Sequence, residues 1–168
     1  KIKKIIVTNR NLRFKVQKNF ENLLQGRLIT RVSRFSKYII LSFDNGYYCL
    51  IHLGMSGTLH LIQHRKKEKI TNLSFYHSKI IPKKHNHIKI KFSNFTIIYN
   101  DPRRFGFFKL LNNKKKLSKY FLKFGPEAIS SKFNFKYIKH ILVNKKKNIK
   151  NLLLDQNFVS GIGNIYAN

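Results

Sequence analysis

Strict alternation of apolar and polar side chains in HIKIKF, residues 87–92, predicts a β-strand with one buried face. Two isoleucines and a phenylalanine fall on one side of this run, and two lysines fall on the other. That period of two is typical of a half-buried strand. Other short apolar runs recur along the first two thirds of the chain: KIIVT, LRFKV, YIILSF, YYCLIHL, TIIYN and FGFFKLL. Short strands separated by turn residues predict an antiparallel β-sandwich for residues 1–112.

Turn-forming residues and one helical run punctuate this strand-rich part. Asp44-Asn45-Gly46 between two apolar runs predicts a hairpin, because these residues tolerate a positive φ. The segment 18–28, KNFENLLQGRL, predicts a helix that Gly26 ends. Residues 62–84 lack periodicity and predict a loop, and the basic stretch 112–120 predicts a polar connector.

The pattern changes beyond residue 130. Residues 113–130 are expected to form a linker, and residues 131–168 then show apolar side chains at helical spacing, with Asn134 as a candidate N-cap. NIKNLLLD predicts a second short helix, and GIGN precedes the start of another. The expected fold class is therefore α+β, with an antiparallel β-sandwich followed by the start of a helical domain.

The charge of the chain favours a polyanionic partner. Thirty-five Lys and Arg stand against six Asp and Glu, which gives a net charge of +29. Such a chain attracts nucleic acid through phosphate neutralisation, or alternatively an anionic membrane surface. Part of this excess reflects a general enrichment in Lys, Asn, Ile and Phe. The single Cys49 allows no internal disulfide and no Cys-x-x-Cys zinc site, and no apolar run approaches the ~18–20 residues of a membrane helix.

Three collinear stretches carry a family resemblance: IHLGMSGTLHL (51–61), YNDPRRFGFFKL (99–110) and LLLDQNFVSGIGNIYAN (152–168). With FGPEAIS (124–130), they resemble the bacterial formamidopyrimidine-DNA glycosylase family, which excises 8-oxoguanine and formamidopyrimidines in base-excision repair. The resemblance implies N-glycosylase activity with AP lyase activity by β,δ-elimination. It also implies a two-domain clamp, a helix–two-turn–helix motif and DNA in the cleft between the domains.

The resemblance assigns three residues to filling the void that an extruded base leaves. These are Met55, Arg103 and Phe105, and their chemistry suits the task. Methionine is a flexible apolar plug, phenylalanine can wedge between base steps, and arginine can donate to the orphaned cytosine. Taken alone, Met55 would be read as a core methionine. For Arg104 the alternatives are a solvated loop charge or an ion pair with Asp101.

Further site residues follow from the same resemblance. Lys37 in RFSKYII matches the active-site lysine, which contacts the phosphate beside the lesion and assists elimination. The residues expected to contact DNA are His52, His85, Arg103, Lys146, Lys150 and Asn164. In GIGN, glycines at a helix start let backbone amides approach a phosphate. The alternatives are a hydrogen-bonded strand histidine for His52 and a solvated charge run for the lysines. His85 and His87 share a strand face, but no third ligand accompanies them for a metal.

The sequence departs from the family pattern at its ends. The family nucleophile is the amine of an N-terminal proline followed by a glutamate, whereas the only prolines here are Pro82, Pro102 and Pro126. The C-terminal zinc finger is also absent. We therefore expect an internal fragment that is inactive alone, with no cofactor in this chain and zinc in the missing finger of the full-length family.

The expected partner is double-stranded DNA containing an oxidised purine or an abasic site. The resemblance implies a monomer that binds no membrane and works in the bacterial cytoplasm, associated with the nucleoid. Two alternatives remain open: a non-catalytic damaged-DNA-binding remnant of the same fold, and an unrelated basic RNA-binding protein.

Overall fold

A computed structural model of the chain describes residues 1–64, 69–71, 84–143 and 146–168. The chain divides into two compact units. The first comprises Lys1–Ser33 and Tyr38–Lys114, and the second comprises Arg34–Lys37 and Lys115–Asn168. The second unit therefore includes Arg34–Lys37, four residues from within the segment 1–112 that was predicted to form the sandwich.

Strands dominate the chain up to residue 111. In the described ranges they are β1 (Lys4–Val7), β2 (Ile29–Phe35), β3 (Tyr38–Phe43), β4 (Tyr48–His52), β5 (Thr58–Gln63), β6 (Lys69–Thr71), β7 (Asn86–Lys91), β8 (Phe95–Asn100) and β9 (Phe107–Leu111). One short helix, α1 (Phe20–Leu24), lies between β1 and β2.

The strands form two antiparallel sheets. One has the order β1-β7-β8-β5-β6, and the other has the order β2-β3-β4-β9. The hairpin predicted at Asp44-Asn45-Gly46 joins β3 and β4, with Gly46 at φ +77°. The alternation in HIKIKF holds from Ile88 to Lys91, since Ile88 and Ile90 are buried while Lys91 is exposed, but His87 on the lysine side is also buried.

A shared core joins the two sheets. Its buried side chains come from β1, β7 and β8 of one sheet and from β3, β4 and β9 of the other, together with α1. Burial of such apolar surface is the main stabilising contribution to a fold of this size. Two antiparallel sheets with few helices confirm the predicted α+β class.

The register of the strands places two loops side by side. β4 pairs with β9, and His52 at the end of β4 lies opposite Phe107 at the start of β9. In the other sheet β5 pairs with β8, and Thr58 lies opposite Asn100. The β4–β5 connection and the β8–β9 connection therefore both cross from one sheet to the other, and they lie side by side at the same end of the sandwich.

Three segments differ from their predicted form. LRFKV is not a strand, because the amides of Leu12 and Val16 both donate to the carbonyl of Arg10 and fold the segment into a turn. The predicted loop 62–84 contains the end of β5 and all of β6, and the rest of it lies outside the described residues. The connector at 112–120 forms most of a helix, α2 (Lys114–Phe121).

Helices build the second unit. They include α3 (Phe135–Leu142), α4 (Ile149–Leu154) and α5 (Asn164–Ala167). The side chain of Asn134 accepts from the amide of Tyr137, which confirms the predicted N-cap of α3. A small core of Leu152, Phe158 and Val159 packs against apolar side chains of α3.

Candidate nucleic-acid interface

The β4–β5 and β8–β9 connections pack together backbone against backbone, and glycines make this approach possible. Gly54 has φ +69°, and a Cβ there would lie 2.7 Å from the backbone of Phe105 and Gly106. A Cβ on Gly106 would lie 2.0 Å from the Tyr99 hydroxyl oxygen and 2.5 Å from the His52 carbonyl oxygen. Glycine is therefore required at position 106 by this close contact.

The buried carboxylate of Asp101 ties the two connections to each other. Asp101 has no exposed surface. Its Oδ1 accepts from the Ser56 hydroxyl at 2.5 Å, and its Oδ2 accepts from the Tyr99 hydroxyl at 2.8 Å and from the Gly106 amide at 2.9 Å. The Arg103 amide donates to Ser56 Oγ at 3.3 Å. A charge in the interior is tolerated because three donors surround it.

Burial of this network also affects the neighbouring tyrosine. Burial raises the pKa of Tyr99, and the hydrogen bond to Asp101 and the charge of that carboxylate raise it further. Tyr99 therefore stays a neutral donor, and the carboxylate keeps its partner across the physiological range.

The three predicted void-filling residues lie at the tips of these joined connections. Met55 has 63% of its surface exposed and Phe105 has 43%, so both apolar side chains are accessible to a partner. The guanidinium carbon of Arg103 lies 4.4 Å from the centre of the Phe105 ring. The alternative of a core methionine is therefore wrong, since Met55 projects outward.

Arg104 forms no ion pair with Asp101. Its amide donates to the Asp101 carbonyl at 3.3 Å, while the Asp101 carboxylate is occupied by other donors. The side chain is exposed, and its backbone adopts φ +58°. A positive φ is uncommon for a residue with a Cβ, so the turn holds Arg104 in a strained conformation.

The two histidines expected to contact DNA differ in their surroundings. His52 accepts from the Gly54 amide through Nδ1 at 3.0 Å and stacks on Phe107, with ring centres 5.6 Å apart. It is thus a hydrogen-bonded strand histidine, and its phosphate contact stays a prediction. His85 is exposed at φ +66° just before β7, whereas His87 is buried with Nε2 2.8 Å from the Asp101 carbonyl. Because His85 precedes β7, His85 and His87 do not share a strand face, although a shared face had been expected.

In the second unit, Lys37 lies beside the glycine turn that precedes α5. A Cβ built on Gly163 would lie 3.3 Å from Lys37 Nζ, so the ammonium group contacts a position without a side chain. Partial desolvation lowers the pKa of Lys37, although much of its side chain remains exposed. Asn164 is the exposed first residue of α5. Lys37 and the GIGN turn are therefore neighbours, as one phosphate-binding site would require.

Glu127 of FGPEAIS fixes the turn that carries Lys37. Its Oε1 accepts from the Ser36 amide at 2.8 Å and forms an ion pair with Arg34 at 2.5 Å. Gln156 adds contacts on the same side, since its Oε1 accepts from the Gly161 amide and lies 3.4 Å from the Ser36 hydroxyl. Sequence reasoning assigned no role to Glu127 or Gln156, because only the fold brings them to the turn.

The lysines of the helical part are solvent-facing. Lys146 and Lys150 are exposed, the latter in the first turn of α4, where the Asn148 side chain accepts from its amide. Lys147, between them, lies 3.9 Å from Asp155. These positions suit a phosphate-contacting surface and a solvated charge run equally well.

In the described ranges, no group of three or more His, Cys, Asp or Glu side chains could hold a metal ion. These residues therefore do not fit a zinc site. No helix in those ranges has the length and apolarity needed to cross a bilayer.

Comparison with known proteins identifies the family. Residues 1–108 match the family described as Formamidopyrimidine-DNA glycosylase N-terminal domain, and residues 124–168 match the family described as Formamidopyrimidine-DNA glycosylase H2TH domain. A formamidopyrimidine-DNA glycosylase of Wolbachia sp. subsp. Drosophila simulans (strain wRi) is 38% identical over 167 residues, which are 99% of this chain and 56% of the relative. One from Legionella pneumophila subsp. pneumophila (strain Philadelphia 1) is 38% identical over 162 residues, 96% of this chain and 54% of the relative.

Solved structures support the same family assignment. The Lactococcus lactis formamidopyrimidine-DNA glycosylase bound non-covalently to AP-site DNA is 30% identical, with a TM-score of 0.81 over 99% of this chain and 59% of that one. The L. lactis enzyme in complex with FAPY-dG-containing DNA gives the same identity and TM-score, over 99% of this chain and 58% of that one. The chain thus spans little more than half the length of these relatives. It belongs to the formamidopyrimidine-DNA glycosylase family, as its motifs indicated.

Proposed function

We propose that this chain is part of a base-excision repair enzyme that removes 8-oxoguanine and formamidopyrimidines from duplex DNA and then cleaves the abasic site by β,δ-elimination. Its partner is a duplex containing an oxidised purine or an abasic site, and it acts as a monomer in the cytoplasm. The observation that carries the proposal is the joined pair of connections that presents Met55, Arg103 and Phe105 at one exposed edge.

The geometry of that edge suits a base-extruding enzyme. A nucleotide must leave the stack before its glycosidic bond becomes accessible, and the resulting void costs stacking energy. Exposed apolar side chains on a rigid support can fill the void without reorganising. The guanidinium of Arg103 lies against Phe105. If Phe105 inserts between the base steps, Arg103 can therefore donate hydrogen bonds to the orphaned base beside it.

Lys37 supports the chemical step in this proposal. Partial desolvation lowers its pKa, so that a larger fraction of the amine is neutral near physiological pH than for an ordinary lysine. A neutral amine can take up a proton during elimination, and the protonated amine can bind the neighbouring phosphate. Its position next to Gly163 supports this role, because the backbone amides of a glycine turn suit the same phosphate. Since α5 is a single turn, these amides would act individually and not through a large helix dipole.

A second candidate is lesion binding without cleavage by these 168 residues. On this proposal, the polypeptide recognises damaged DNA through the Met55, Arg103 and Phe105 edge, and forms no Schiff base.

Fluorescence anisotropy with two duplexes of equal length tests the binding proposal. One duplex carries a tetrahydrofuran abasic analogue opposite cytosine and the other is undamaged. We expect tighter binding to the damaged duplex at every salt concentration, and equal affinities would contradict the proposal. Borohydride treatment with a natural abasic duplex then distinguishes the two candidates. A covalent adduct would indicate a Schiff-base intermediate and support cleavage, whereas lesion binding without an adduct would support the second candidate.

A further inference from the structure

An arginine-lined cleft borders the Met55, Arg103 and Phe105 edge, and its far wall comes from a segment to which no function has been assigned. The cleft has a volume of about 680 Å³ and is lined by Asn11, Leu12, Arg13, Arg103, Arg104 and Phe105. Its three arginines are exposed, and no carboxylate lines it. The nearby Asp101 is buried and accepts from three other donors, so its carboxylate is not available to pair with these guanidinium groups.

We propose that Arg13, together with Arg104, binds backbone phosphates of the DNA strand that carries the orphaned base. This inference rests on the proposed function, because it takes Arg103 and Phe105 to enter the duplex beside that base. The phosphates that flank this base must then pass the far wall of the cleft, where Arg13 lies.

The segment carrying Arg13 is held firmly in place. The Arg13 amide donates to the Gly106 carbonyl at 3.2 Å, which attaches the segment directly to the β8–β9 connection. Leu12 beside it is buried, and Arg10 forms a two-oxygen ion pair with Glu21. Because the backbone that carries Arg13 is already ordered, phosphate binding would cost only the ordering of the side chain.

Aromatic side chains alternate with the cations along this surface. Phe14 is 51% exposed and packs edge-on against Phe107, with ring centres 4.9 Å apart. The guanidinium of Arg13 lies 5.9 Å from the Phe14 ring, and Lys109 Nζ lies 6.0 Å from it. Cations interleaved with exposed rings suit nucleic acid better than a small anion, because sugars and bases can pack on the rings between phosphate contacts.

Salt-dependent binding of Arg13→Ala tests the proposal, with Lys15→Ala as the matched control. Lys15 is an exposed cation in the same segment that does not line the cleft. We expect Arg13→Ala to weaken duplex binding about tenfold near 0.1 M salt and to make the slope of log K against log salt shallower by about 0.9. Lys15→Ala should leave both quantities close to wild type. Equal effects of the two substitutions would overturn the assignment.

Methylphosphonate substitution locates the phosphate. The charged phosphates beside the orphaned cytosine are replaced one at a time. At one or two positions the replacement should weaken DNA binding by the wild-type protein and leave the affinity of Arg13→Ala unchanged. Equal losses for both proteins at every position would overturn the strand assignment. A larger loss of affinity for single-stranded RNA than for duplex DNA in Arg13→Ala would assign the cleft to RNA instead.

The outcomes separate this inference from the proposed function. If wild type shows no preference for the abasic duplex but Arg13→Ala still reduces the salt slope on undamaged DNA, the phosphate contact stands and the repair function fails. If the lesion preference holds and Arg13→Ala behaves as wild type, the repair function stands and this inference fails.

Discussion

Ser56→Ala tests whether the two connections act as one rigid support. The substitution removes the hydroxyl that donates to Asp101 Oδ1 at 2.5 Å and accepts from the Arg103 amide at 3.3 Å. It leaves the bonds of Asp101 to Tyr99 and Gly106 intact. The change therefore removes the hydrogen bonds of Ser56 that link the β4–β5 and β8–β9 connections, while the backbone contact at Gly54 and the rest of the network stay in place.

The magnitude follows from the surroundings of the lost bond. A hydrogen bond to a charged group contributes about 1.5–3 kcal/mol. Ser56 is only half-buried, so water can replace part of the interaction, and we expect the free energy of unfolding to fall by about 2 kcal/mol. For a sandwich of this size, that loss corresponds to roughly 8 °C in the melting temperature.

Two assays measure the consequences, with Ser93→Ala as a control at an exposed turn serine. Thermal unfolding followed by circular dichroism gives the stability change. Anisotropy gives the affinities for abasic and undamaged duplexes, and Ser56→Ala should lose affinity mainly for the abasic duplex. A variant that melts and discriminates like Ser93→Ala would refute the idea that this bond couples the two connections.

Four further outcomes are expected. Met55→Ala should weaken binding to the abasic duplex more than to undamaged DNA, because an exposed apolar plug contributes only where a void exists; equal losses in anisotropy would argue against insertion. Lys37 should react with an amine-selective acylating reagent at lower pH than the other lysines, because desolvation lowers its pKa and the reactive neutral amine therefore forms at lower pH. Peptide mass spectrometry in which Lys37 is acylated over the same pH range as the other lysines would contradict this. Glu127→Gln should lower the free energy of unfolding by about 1 kcal/mol, since the exposed Arg34 contributes weakly, and a urea titration equal to wild type would count against the pairing. Cys49, whose buried thiol has a raised pKa, should react with a disulfide reagent only when the protein unfolds, and rapid reaction of the native protein would disagree with its burial.

Local patterns predicted the elements whose causes are local. The alternation in HIKIKF reports directly which face of β7 is buried, and Asn134 caps α3 through a bond only three residues away. The turn at Gly46 likewise follows from the conformational freedom of that residue. In each case the physical cause lies within a few residues of the element.

Long-range contacts explain what the sequence did not reveal. LRFKV has strand-forming composition, yet the Arg13 amide donates to the Gly106 carbonyl, and the segment lines the arginine-lined cleft. Asp101 was considered as an ion-pair partner of Arg104, but it is the buried acceptor for donors as far away as Ser56. The roles of Glu127 and Gln156 similarly depend on residues more than 90 positions away. No local pattern encodes such contacts.

The most direct test of the account is discrimination of the base opposite the lesion by Arg103→Ala. Affinities of wild type and variant are measured for four abasic duplexes that differ only in the opposite base. We expect wild type to prefer cytosine and the variant to lose that preference, at a cost of about 1–3 kcal/mol for the cytosine duplex, with little change in binding to undamaged DNA. A uniform loss of affinity across all four opposite bases would contradict the claim that Arg103 reads the orphaned base.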